Sequence, residues 1–191
     1  MGARDESLAN VYANALLDLA FEKGVHGEVL AELRAFREVL RTMPEFDAFL
    51  GTPNVRQEAK KEVVQKVFGG QISDATLHFL LTVIGKRRQG HLASMVDAFE
   101  QGYHERMGEL VVHVATAVGL QQKQRDTLTK LLKAKFAKEI ILDERTDERL
   151  LGGLVLRVGD SRIDGSLSTR LATIGARLSA TRFRSEEYYE D

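Results

Sequence analysis

Cysteine and tryptophan are absent from the 191 residues, and proline occurs only at Pro44 and Pro53. Without cysteine, disulfide staples and thiolate metal sites are excluded. The scarcity of proline leaves long stretches free to be helical, since its missing N–H and ring clash break helices. No sign of charge dominates: 27 basic and 28 acidic residues give a formal net charge of −1. That balance argues against a sequence-independent nucleic-acid binder, which draws its affinity from a basic excess. No apolar run approaches the roughly 20 residues that a membrane-spanning helix needs. Met1 to Ser7 has neither an apolar signal-peptide core nor an Arg/Ser-rich transit pattern, so a cytosolic location is expected. Hydrophobic residues still make up 43% of the chain, enough for a real core, and the length suits one large domain or two small ones.

The first hundred residues carry helical periodicity. Leu8, Val11, Tyr12, Ala15, Leu16 and Leu19 follow the i, i+3, i+4, i+7 spacing of one helix face, and Gly24 ends that helix. Val29, Leu33, Phe36 and Leu40 form a second stripe, stopped near Pro44. Pro44 to Leu50 reads as a short helix closed by Gly51 and Pro53. Ala59, Val63, Val67 and Phe68 mark a fourth, ended by Gly69-Gly70. Ser73 or Asp74 can cap a fifth, which carries Leu77, Leu80, Leu81 and Ile84. Leu92, Met95, Val96, Phe99 and Tyr103 mark a sixth. Short connections between six such helices predict a compact bundle.

After Gly108 the period changes. Glu109 to Val118 is valine-rich and reads as a strand, Gln121 to Lys138 as a helix with Leu128, Leu131, Leu132 and Phe136 on one side, and Ile140 to Leu142 as a strand. Gly152 to Ser166 reads as strand, tight turn and short strand, with the turn at Gly159-Asp160-Ser161, where glycine and aspartate tolerate positive φ. Ser166 can cap a last helix whose stripe is Leu167, Leu171, Ile174 and Leu178. The switch of period places a boundary near residues 105–109. The end, Ser185 to Asp191, is acidic, with two tyrosines.

The familiar chemistries fail one by one. Gly153 and Gly159 have the spacing of a phosphate loop, but no Gly-Lys-Ser/Thr follows to hold a terminal phosphate and magnesium. A dinucleotide fingerprint opens a helix directly after its strand, and here a hairpin intervenes. Asp160, Asp164 and Gly165 imitate part of a calcium loop, yet Arg162 and Leu171 stand where ligands belong. The five histidines, His26, His78, His91, His104 and His113, show no metal-ligand spacing. Ser166 lacks the nucleophile elbow and is better explained as a cap. Lys86-Arg87-Arg88 is a thin basic cluster without interleaved aromatics, and suits the negative end of a helix. One feature survives. Leu77 to Ile84 is apolar nearly all round, so the fifth helix is either central to the bundle or keeps a surface for a partner helix, and the two are compatible.

Several stretches carry a resemblance. They are Tyr12-Ala13-Asn14-Ala15-Leu16-Leu17-Asp18-Leu19-Ala20, Lys86-Arg87-Arg88 with Leu92 and Phe99, and Ala117-Val118-Gly119-Leu120 with Gln124. The most specific runs from Asp147 and Gly152-Gly153 through Gly159-Asp160 to Ile163-Asp164-Gly165-Ser166 and Arg170-Leu171. Over roughly residues 5–180 the chain resembles the delta subunit of F-type ATP synthases, the family of the mitochondrial oligomycin-sensitivity-conferring protein. The resemblance implies a mainly α protein with a small α/β part. An N-terminal six-helix bundle (1–106) docks on the catalytic head. A small α/β domain (107–181), with a short mixed sheet and two helices, binds the peripheral stalk. The acidic tail, 182–191, receives no role.

The resemblance further implies a non-catalytic stator without cofactor or metal, at the cytoplasmic face of the bacterial inner membrane and touching the membrane only through its complex. Its implied partners are the alpha-subunit N-terminal helix, in a groove between the first and fifth helices, and the b subunits. Leu8, Tyr12, Ala15, Leu81 and Ile84 are the expected groove lining. Gly152, Gly153, Gly159, Asp160, Asp164, Gly165 and Ser166 are expected to be structural, with Asp164 and Ser166 starting the last helix. The competing readings are a small transferase or hydrolase without a readable site, and a helical RNA-binding protein using Lys86 to Arg88.

Overall fold

The computed structural model describes residues 3–159 and 161–186, with side chains for 7–159 and 161–178. These residues are mainly helical, with one small mixed sheet, and fall into two compact units that divide between Met107 and Gly108.

The first unit contains α1 (Ala3–Glu22), α2 (His26–Thr42), α3 (Pro44–Gly51), α4 (Gln57–Phe68), α5 (Asp74–Gly85) and α6 (Leu92–Arg106), with one 3-10 turn at Gln89–His91. Helix α1 packs most extensively on α6. Small residues make that possible: α1 buries Ala9, Ala13 and Ala20 beside Leu16 and Leu17. A Cβ at Gly102 of α6 would stand 2.8 Å from Leu17 Cδ2. The buried face is thus turned by about one residue from the expected stripe. Leu8, Tyr12 and Leu19 are only half-buried, Ala15 is exposed, and Val11 is 63% exposed.

Helix α2 buries Val29, Leu30, Leu33 and Phe36, as its periodicity predicts. Pro44 begins α3, where its fixed φ and missing N–H are tolerated. Helix α4 departs from its predicted stripe. It buries Lys60 and Val64, while Ala59 and Val67 are exposed. Helix α5 buries Ala75, Thr76, Phe79, Leu80, Val83 and Ile84, so most of its apolar circumference is core. Its N-terminus is doubly held. Ser73 Oγ accepts from the Thr76 N–H at 3.4 Å. Glu32 of α2 accepts from Ser73 N at 2.5 Å, from Ser73 Oγ at 2.7 Å and from the Thr76 hydroxyl. A carboxylate at a helix N-terminus is favoured by the macrodipole and by the unpaired N–H groups there.

The second unit runs β1 (Glu109–Thr116), α7 (Gln122–Phe136), β2 (Glu139–Thr146), β3 (Leu154–Val158), β4 (Ser161–Asp164) and α8 (Leu167–Glu186). Strand order is β2-β1-β3-β4. Strands β1 and β2 are parallel and bridged by α7, while β1–β3 and β3–β4 are antiparallel. Leu128, Leu132 and Phe136 of α7 cover one face of the sheet, against Val112, Val114 and Leu156. Strand alternation sends His113, Ala115, Asp143, Arg145, Val155, Arg157 and Arg162 to the other face. Strand β2 is longer than the expected Ile140 to Leu142. Its charged second half, Asp143 to Thr146, carries no apolar signal but pairs with His113 to Thr116.

Candidate functional site

On the first unit, α1 and α5 are neighbours. Leu8, Tyr12, Leu77 and Leu81 pack on the core as half-buried side chains along their outer faces. Ala15 and the strongly exposed Val11 continue the strip on α1. Ile84 differs from its expected role as lining. It is completely buried, so it supports the strip from below and presents no surface. Arg88, expected as one of the basic residues at the end of the fifth helix, reaches Tyr12. Its Nη1 donates to the Tyr12 hydroxyl at 3.0 Å, and its guanidinium stands 5.2 Å from the ring centroid. The pairing is a cation–π contact with the phenol oxygen as second anchor.

On the second unit, the glycine-rich stretch is a folding device. Gly152 and Gly153 have φ of 152° and 82°. They bring the start of β3 against the start of α8, where Gly165 N donates to Leu154 O and Leu167 N to Gly152 O, each at 2.9 Å. Gly159 turns the hairpin at φ 53°. Asp160 lies outside the described residues. Asp164 accepts from the Ser166 N–H at 3.0 Å, and the buried Ser166 Oγ accepts from Thr169 N at 3.3 Å. Both residues therefore hydrogen-bond at the start of α8.

The Ser166 backbone N–H, then its hydroxyl, hold the Asp164 carboxyl below its ordinary value, with smaller help from Thr169 and Arg162. Because the folded-state value is depressed, this support is complete above the ordinary carboxylate range and fades as pH falls through the depressed value. We expect the protection of the Ser166 and Thr169 amides, measured against their intrinsic exchange at each pH, to fall on acidification. Asp164→Asn, which keeps an acceptor without the charge, should abolish that pH dependence.

Helix α8 carries the second apolar surface. Leu167, Leu171, Ile174 and Leu178 are 44%, 60%, 53% and 66% exposed. Their spacing of four, three and four residues is that of a heptad seam. Sequence periodicity gives the stripe but not its exposure.

Nothing in these arrangements assembles a reaction centre. Among the described residues no three His, Cys, Asp or Glu side chains are placed to hold a metal, and no helix is long and apolar enough to cross a membrane. His113 Nδ1 and Asp143 Oδ2 are 2.6 Å apart, but no serine, threonine or lysine lines the cleft they border. The architecture is that of an interaction protein, with an uncovered apolar helix face in each unit.

The profile of the family described as ATP synthase delta (OSCP) subunit matches residues 8–178. The ATP synthase subunit delta of Symbiobacterium thermophilum is 37% identical over 174 residues, spanning 91% of this chain and 94% of that protein. That of Desulforamulus reducens is 35% identical over 172 residues, spanning 90% and 95%. A chain of the Toxoplasma gondii mitochondrial ATP synthase hexamer shares the fold, with a TM-score of 0.71 at 24% identity over 90% of this chain and 97% of that one. The chain belongs to the ATP synthase delta (OSCP) subunit family and is a non-catalytic stator component of that membrane-associated complex. This displaces the readings as a small enzyme or an RNA binder.

Proposed function

We propose that α1–α6 act as a six-helix bundle that seats the N-terminal helix of the alpha subunit along the α1–α5 strip. The second unit, which begins at Gly108, then grips the b subunits of the peripheral stalk through the α8 seam. The chain would thereby hold the catalytic head still at the cytoplasmic face of the bacterial inner membrane while the central shaft turns. The observation that carries this reading is the uncovered apolar helix face in each unit: Leu8, Val11, Tyr12, Ala15 and Leu81 in one, and Leu167, Leu171, Ile174 and Leu178 in the other.

A tether under torque needs long residence. Nanomolar affinity corresponds to about −12 kcal/mol. Helix-in-groove docking reaches such values by burying a few anchors well. Tyr12 is the best placed anchor, because Arg88 already fixes its ring and hydroxyl. Titration of the full chain with a peptide of the alpha-subunit N-terminus tests the first surface. Tyr12→Ala should weaken binding by ~2 kcal/mol or more, roughly 30-fold, with helical content and melting of the free chain little changed. Unaltered binding would remove the α1–α5 strip from the head contact.

A further inference from the structure

The open face of the sheet holds a cleft of about 500 Å³ that neither helix surface uses. Its layout follows from strand register. Asp143, His113, Arg157 and Arg162 stand side by side across the four strands, and Arg145, Ala115 and Val155 occupy the adjacent row. Ala115 is nearly buried and Val155 half-buried, so together they give the cleft an apolar floor. Leu150 adds an apolar rim.

The acidic groups of this face already have partners. Asp143 lies 2.6 Å from His113 Nδ1. Asp147 accepts from the Arg149 N–H at 3.1 Å and faces its guanidinium at 3.8 Å. Asp164 accepts from Arg162 Nη2 at 2.9 Å. Two cations are different. Among the described residues Arg157 engages only its Nε, on the Gly159 carbonyl at 3.3 Å. Arg145 lines the cleft with no hydrogen bond or ion pair among the described residues. The charge left without an ion pair among the described residues of the cleft is therefore cationic: two guanidinium groups flanking an apolar floor.

We propose that this face docks an acidic segment of a partner protein, with carboxylates on Arg145 and Arg157 and apolar atoms over Ala115 and Val155. A planar guanidinium matches a carboxylate bidentately. Arg145 and Arg157 stand two strand spacings and one pleat repeat apart, about 12 Å between Cα atoms. Their long side chains can close that gap onto two glutamates one helical turn apart, separated by about 6 Å. A protein segment suits the cleft better than a free anion does. Both arginines are exposed, and an exposed ion pair with a small hydrated anion gains little. A segment covering Ala115 and Val155 excludes water from the pairs and strengthens them. This inference does not depend on either helix-docking surface.

The test is a titration of the full, isotope-labelled chain with an alanine-based helical peptide bearing two glutamates one turn apart. Amide shifts are expected at Ala115 and Val155. Binding should be at least about tenfold weaker for the glutamine version of the peptide and for the chain variants Arg145→Gln and Arg157→Gln. It should also weaken as salt is raised. Unchanged amide positions at Val112 and Leu156 will show that both variants keep the sheet. Equal binding of the glutamine peptide, or unchanged binding by both variants, overturns the proposal. So do shifts confined to Leu171 and Ile174, and so does inorganic phosphate if it produces the Ala115 and Val155 shifts at the same concentration as the peptide.

Discussion

Gly153→Ala is expected to unfold the second unit while α1–α6 stay folded. Two penalties coincide at this position. The backbone sits at φ 82°, in the left-handed region, where a Cβ costs roughly 1–2 kcal/mol by itself. The new methyl would also lie 2.4 Å from Gly165 O and 3.0 Å from Ser166 Cα. Both neighbours are backbone, so no side-chain rotation relieves the clash. Relief requires separating the start of β3 from the start of α8. That breaks the Gly165 N–Leu154 O and Leu167 N–Gly152 O bonds, which hold the junction together. A total cost of several kcal/mol, on the order of 4, is comparable to the whole stability of a small domain. Hydrogen exchange on the full chain reads the outcome. Protection should vanish at Val112, Val114 and Leu156 and persist at Leu80 and Phe99. Gly175→Ala is the control: nothing lies within 4 Å of its added Cβ, and alanine favours the helix.

Lys60→Met should be the most damaging single change in the first unit that leaves side-chain size almost constant. Lys60 is completely buried, and its ammonium donates to Leu50 O at 2.6 Å and Thr52 O at 2.7 Å. These carbonyls close the C-terminal end of α3, where carbonyls lack helical partners and carry the negative end of the dipole. Replacing a whole buried ion pair by apolar groups can be neutral. Here the acceptors belong to the backbone and remain after the lysine is gone. Two unsatisfied carbonyls at about 1–3 kcal/mol each give an expected loss of roughly 2–6 kcal/mol. The melting temperature of the unit should fall by on the order of 10 °C or more. Calorimetry beside Lys66→Met, at an exposed position of the same helix, separates this effect from loss of a surface charge.

The same lysine shows where sequence reasoning stops. Charge makes position 60 look like solvent face, so the expected α4 stripe is Ala59, Val63, Val67 and Phe68, of which Phe68 packs on the core, although the buried pair is Lys60 and Val64. A lysine that ends on backbone carbonyls ten and eight residues away leaves no local pattern. Helix α1 was misjudged for the opposite reason. Its larger residues draw the stripe toward Leu8, Val11 and Tyr12, while the close approach of Gly102 selects the alanine face. The residues left outside by that turn are the ones we propose as a partner surface. Ile84 is an expected lining residue by the family resemblance, and neither that resemblance nor periodicity tells the centre of a helix bundle from its rim.

Other features were readable because local chemistry determines them. Val29, Leu33 and Phe36 have one face to bury, and Ser73 and Ser166 stand where helix N-termini need an acceptor. The glycine-rich stretch was legible as a turn between strands. The open-face cleft was not, because it is assembled by register across four strands and rests on the charged half of β2.

The pairing of α1 with α6 has a consequence for synthesis on the ribosome. The alanine face of α1 emerges well before α6, its main covering element, which leaves the exit tunnel some eighty residues later. At about 5–20 residues per second the wait is on the order of several seconds. The leading helix must spend that interval exposed or shielded by a chaperone. A truncated nascent chain ending before Leu92 should therefore be far more sensitive to protease than one that extends beyond Arg106.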